Sequence, residues 1–124
     1  MRFVQFFTLA WLTLSLARAD VPPAQRAEVE HLLTWVQQSS CVFIRNGRKY
    51  TGQRAERHIM RKYEHFRDEI VDTGSFIELA ASRSMASGRP YLIACDGYAR
   101  PSRDVLLEEL ARHRNGRQDA SALE

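Results

Sequence analysis

The chain has 124 residues, 44% of them hydrophobic and 27% charged, with a formal net charge of +3. That length suits one domain with a single core. The small charge excess lacks the concentrated cationic face that nucleic-acid binding requires, so no nucleic-acid partner is expected.

The N-terminus reads Met1-Arg2, an apolar run Phe3 to Leu16, then Ala17-Arg18-Ala19. One positive charge, a short apolar stretch and small residues at 17 and 19 predict a secretory signal peptide over residues 1–19, cleaved after Ala19. As a helix the run would reach roughly 21 Å, short of the ~30 Å hydrocarbon core, which disfavours an uncleaved anchor. No cysteine follows the run to accept a lipid. Without Arg2 and Arg18 the exported chain carries sixteen basic and fifteen acidic residues, a net charge of +1. The expected location is the periplasm, with no stable membrane insertion after cleavage. The expected organisation is signal peptide 1–19, one globular domain 20–113 and a flexible tail 114–124.

Pro22-Pro23 can open a helix without continuing one. Val29, Leu32, Leu33 and Val36 then fall at i, i+3, i+4 and i+7, which predicts a first helix over about 24–38 with Trp35 on its flank. Cys41 to Ile44 is rich in β-formers and Asn46-Gly47 is a strong hairpin signal, giving strands at 41–45 and 48–50. Thr51 can cap a second helix over about 52–68, with Ala55, Ile59, Tyr63 and Phe66 inward. Asp72 and Thr73 precede a third, about 74–82. Residues 82–90 form a loop by composition, and Tyr91 to Cys95 is a strand ended by Asp96-Gly97. Its apolar residues occupy both parities, which predicts burial on both faces. Ser102 can cap a fourth helix over about 102–113, stopped by Asn115-Gly116.

The order α-β-β-α-α-β-α predicts an α+β fold, a three-stranded, mainly antiparallel sheet packed by four helices. Cys41 and Cys95 are the only cysteines. In an oxidising compartment such a pair within strands reads as a structural disulfide. Closing the loop of about 54 residues between them contributes on the order of 4 kcal/mol in the chain-entropy model.

Several short runs follow one another along the chain: Phe43-Ile44-Arg45-Asn46-Gly47, His58-Ile59 with Lys62-Tyr63, Asp72-Thr73 before Phe76-Ile77, Ala81-Ser82, and Ser87-Gly88-Arg89-Pro90-Tyr91. Their order and spacing resemble the YfeK-like family, small exported bacterial proteins with a domain of unknown function, over about residues 24–112. The resemblance implies a Gram-negative envelope location and supplies neither an activity nor catalytic residues.

Among polar groups, His58 and Lys62 lie one turn apart on one helix face. With Arg45 and the loop serines Ser82, Ser84 and Ser87 they form a candidate anion site for a phosphate or carboxylate. The plainer alternative is that His58 bonds a neighbouring loop while Lys62 extends to solvent. Catalysis has weak signals: a serine nucleophile activated by His58 would lack a Gly-x-Ser-x-Gly elbow and a Ser-x-x-Lys pair. No His-Glu-x-x-His occurs and no cofactor motif is visible, so no metal and no cofactor are expected. His31, His65 and His113 are expected on solvated faces. Arg54, Arg57, Arg61 and Arg67 alternate with Glu56, Glu64, Asp68 and Glu69, which predicts a salt-bridged exposed helix face. The leading expectation is a non-enzymatic accessory or binding module for an envelope protein or an anionic small ligand. A small envelope hydrolase or transferase with His58 as general base is the alternative.

Overall fold

The computed structural model describes residues 20–124; the leader expected at 1–19 lies outside them. The elements run α1 (Pro23–Gln38), β1 (Val42–Arg45), β2 (Arg48–Tyr50), α2 (Gly52–His65), α3 (Thr73–Ala80), β3 (Leu92–Cys95), β4 (Tyr98–Pro101) and α4 (Ser102–Ala122). The α+β class and the four helices are as expected. The sheet has four strands rather than three, in the antiparallel order β2-β1-β3-β4.

The additional strand comes from a turn that also reads as an ending. Asn46 and Gly47 have φ of 50° and 77°, and Asp96 and Gly97 have φ of 56° and 86°. Two consecutive positive φ values make the tight turn whose twist matches a hairpin, so Asp96-Gly97 folds the chain back rather than releasing it. Tyr98 to Pro101 are all exposed, and such an edge strand carries no apolar alternation to announce it.

One face of the sheet is sealed. Phe43 and Ile93 stand opposite each other across β1 and β3 and join the core. Around them gather Val29, Leu32 and Val36 of α1, Ile59 and Tyr63 of α2, Phe76 and Ile77 of α3, and Val105, Leu106 and Leu110 of α4. Leu92 and Ala94, of opposite parity, are only part buried, and Val42 and Ala99 beside them are exposed. The expectation of burial on both faces is therefore corrected: apolar residues at both parities here reflect a central strand with one open face.

Helix ends follow local chemistry. Pro23 occupies the first turn of α1, where a missing N–H costs nothing. Thr51 caps α2 by accepting from the Arg54 N–H, and Asp72 with Ser75 forms a reciprocal capping box on α3. Two helix ends differ from expectation. Ser102 is the first residue of α4 rather than its cap, and Pro101 before it offers no side-chain bond. The stop expected at Asn115-Gly116 does not occur, and α4 continues to Ala122. Part of the reason is tertiary. Arg114 donates to the buried carboxylate of Glu28 on α1, which extends the α1–α4 contact past residue 113.

The disulfide Cys41–Cys95 is present, with Cα atoms 4.7 Å apart. It ties the chain just before β1 to the end of β3. The opposite end of that central strand pair carries Arg45 and approaches Tyr91, and there the polar cluster forms.

Candidate functional site

A cavity of about 270 Å³ opens between the first hairpin and α2. The hairpin contributes Arg45, Arg48 and Tyr50, and α2 contributes Arg54, His58 and Arg61. Residues 54, 58 and 61 stand at i, i+4 and i+7, so one helix face presents all three. Arg45 and Arg48 are cross-strand partners. Part-exposed Ile44, Ala55 and Leu92 supply apolar wall.

The centre is a contact set around Tyr91, itself buried. Its hydroxyl lies 3.0 Å from His58 Nε2 and accepts from Lys62 Nζ at 3.2 Å. Lys62 also donates to the Arg83 carbonyl at 2.6 Å and sits 4.8 Å from the Tyr91 ring centroid. Arg45 Nη1 is 2.9 Å from both ring nitrogens of His58, so it faces the N–C–N edge of the imidazole rather than one lone pair. Arg45 Nη2 donates to the Tyr50 hydroxyl at 3.4 Å. The Tyr50 ring carries Arg45 and Arg54 guanidiniums at 5.3 and 5.6 Å from its centroid.

The electrostatics are one-sided. Burial, then Arg45, Lys62 and Arg61, push the His58 pKa down to about 4, so its imidazole is neutral at pH 7. Burial, then Arg45 and Arg83, lower Lys62 to about 8, which leaves it mostly charged at that pH. Burial raises Tyr91, keeping a neutral phenol. Hydrogen bonding from Arg45 is the largest influence lowering Tyr50. Among the described residues no carboxylate lines the cavity, and none pairs with Arg45, Arg48, Arg54, Arg61 or Lys62.

Of the residues expected at an anion site, the structure brings Arg45, His58 and Lys62 together. Only Arg45 and His58 line the cavity; Lys62 lies behind Tyr91, buried rather than extended to solvent. The serines are not brought in. The Ser82 hydroxyl donates to the Ile77 carbonyl at 2.6 Å. Ser84 Oγ accepts from the Asn46 side chain at 3.3 Å, and the Ser87 hydroxyl donates to Asn46 Oδ1 at 2.6 Å. Ser84 and Ser87 clamp the 82–90 loop onto the turn beside Arg45, and Ser82 ties the start of that loop to α3.

Sequence reasoning missed Tyr91, Tyr50, Arg48, Arg54 and Arg61. Tyr91 hides in an apolar strand pattern. The 54/58/61 spacing was a usable signal, masked by the acidic residues interleaved with it. The salt-bridged face expected there is corrected: among the described residues Arg54, Arg57, Arg61 and Arg67 make no ion pair, because the interleaved carboxylates do not come within reach of them. Two of the other histidines also depart from expectation. His31 and His113 stack at 4.0 Å between α1 and α4, with His31 Nε2 2.9 Å from Glu109. His65 is exposed, as expected. Among the described residues no group of histidines, cysteines and carboxylates is placed to hold a metal ion.

The chain belongs to a family of unknown function, DUF5329, whose model matches residues 23–114. That span covers all eight elements except the last turns of α4. No curated protein and no solved structure matches the chain.

Proposed function

With a family of unknown function as the starting point, we propose that the chain is an exported, non-enzymatic binding module whose cavity holds an anionic group of an envelope component. The observation that carries this is the set of cations without carboxylates. Four guanidiniums line one small cavity, and a buried ammonium stands behind it. Gathering like charges is costly unless something negative is bound among them. Export and the envelope setting rest on the leader sequence and on the YfeK-like resemblance, and the Cys41–Cys95 disulfide accords with an oxidising compartment. Asp20 accepts from the Tyr63 hydroxyl, and Val21 is buried. A cut after Ala19 would leave those contacts intact. No helix among the described residues is long and apolar enough to cross a membrane.

The hydrolase alternative is less favoured. A base with a pKa near 4 accepts protons weakly at neutral pH. The ring nitrogens of His58 face Arg45 and the Tyr91 hydroxyl, and no serine, threonine or cysteine bonds to them among the described residues.

Thermal unfolding in phosphate, acetate and chloride at matched ionic strength tests the binding reading. Phosphate or acetate should raise Tm over chloride, and Arg45→Gln should remove the increment. Equal Tm values in all three salts would sink the reading. Sequencing the N-terminus of protein taken from its native host should give Asp20-Val21-Pro22-Pro23.

A further inference from the structure

The proposed anion site has more donors than a simple carboxylate can use, and its walls are not all polar. From this we infer that the cavity recognises a phosphomonoester carried on an apolar or aromatic group. The inference rests on the anion-site reading above and narrows it to one ligand class.

The first argument is a count of charges and hydrogen-bonding sites. Arg45, Arg48, Arg54 and Arg61 line the cavity without a carboxylate among the described lining residues. A carboxylate brings one negative charge and about four lone-pair sites on two oxygens. A phosphomonoester brings about −1.5 to −2 charges and three terminal oxygens, which better matches several guanidinium forks. The second argument is pre-organisation. Arg45 and Arg54 already stack on the Tyr50 ring, and Arg45 is also held at His58. Guanidiniums fixed before binding lose less rotamer freedom when an anion arrives. The third is the helix end. Ser102, the first residue of the 21-residue helix α4, lines the same cavity, and that helix has no side-chain cap. The Ser102 N–H itself donates to the Tyr91 carbonyl at 2.8 Å, so what the helix end adds to the preference for an anion is its positive dipole end.

The remaining wall decides what the phosphate is attached to. Ile44, Ala55 and Leu92 line the cavity and stay part exposed, so an apolar ligand moiety would cover them. Enclosure of this size suits one phosphoryl group and its attached apolar group rather than a polyanionic strand.

Titration calorimetry of the purified protein with inorganic phosphate, phenyl phosphate and benzoate at constant ionic strength is the test. Phenyl phosphate should bind at least about tenfold tighter than either of the others, since only it supplies both the extra charge and the ring. Arg61→Gln, at an exposed position, should weaken phenyl phosphate by about tenfold without lowering the Tm of the free protein. Benzoate binding as tightly as phenyl phosphate overturns the phosphomonoester inference and leaves the anion site standing. Inorganic phosphate binding equally well overturns the apolar component. Binding of none of the three removes both readings. Vesicles of phosphatidylcholine with and without phosphatidic acid then separate the sources. Capture by phosphatidic acid that phenyl phosphate competes away identifies a lipid headgroup. Phenyl phosphate binding without vesicle capture identifies a soluble ester.

Discussion

His58 loses its charge in the folded state because everything around it is buried, positive or phenolic. Its folded pKa lies near 4 against an ordinary 6.5. Between those pH values the unfolded chain binds a proton that the folded chain does not, so stability falls as pH falls through that window. His58→Gln removes this dependence, and the carboxylates that titrate below it are common to both proteins. Urea midpoints from pH 7 to pH 4 should therefore fall more steeply for the parent than for the variant; parallel curves would contradict the placement of His58. Tyr91 is the hub of the same set. Tyr91→Phe strips one acceptor from buried Lys62 and one partner from His58, a loss of about 1–3 kcal/mol in denaturant unfolding. An unchanged midpoint would mean that water replaces the hydroxyl at no cost. Arg45, His58 and Lys62 were legible because their residue types and the i, i+4 spacing suggest a charged cluster. Tyr91 was not, since a tyrosine in an apolar strand reads as core. The serines misled because a hydroxyl-rich loop looks alike whether it faces a ligand or clamps its own turn.

Caps and turns carry most of what could be read at the level of elements. Thr51, Asp72 and Asn46-Gly47 act locally, through bonds a few residues away, so sequence order exposes them. β4 escaped because it depends on tertiary support from pairing with β3, whereas Arg114 reaching Glu28 anchors α4 only as far as the residue before the expected stop. Two glycine substitutions test these placements in opposite directions. Gly116 lies within α4 with nothing near where a Cβ would sit, so Gly116→Ala should stabilise by roughly 0.5–1 kcal/mol. No gain in Tm would mean that the helix does not hold through residue 116. Gly52 opens α2 against the end of α1, and a Cβ there would lie 2.2 Å from the Val36 carbonyl oxygen. The obstructing oxygen belongs to the backbone and cannot swing aside, so Gly52→Ala must push the two helices apart, at a cost of about 1–3 kcal/mol. Guanidinium unfolding with an unshifted midpoint would show that the α1–α2 approach is looser than described.

At the scale of the molecule, the same central strand pair serves two purposes at its two ends. Cys41 and Cys95 lock one end, while Arg45 and Tyr91 organise the cation cluster near the other. The disulfide was legible from an even cysteine count within strands of an expected exported chain. The cavity was not, because it exists only once the hairpin is laid against α2. This separation leads to a prediction about what the cross-link does. Joining residues 54 apart in sequence restricts the unfolded ensemble, and the chain-entropy model gives about 4 kcal/mol for a loop of that length. Cys41→Ala with Cys95→Ala should cost stability of that order, seen as a lower urea midpoint. Because the sheet ladder and the core around Phe43 and Ile93 lie between the bond and the site, anion affinity should change little wherever the variant remains folded. Calorimetry with phenyl phosphate at a temperature well below the variant's Tm, paired with circular dichroism to confirm folding, reads both quantities. A large fall in affinity with the fold intact would show that the disulfide positions the site as well as stabilising the fold. An unchanged urea midpoint would show that the folded chain holds its central strands together without it.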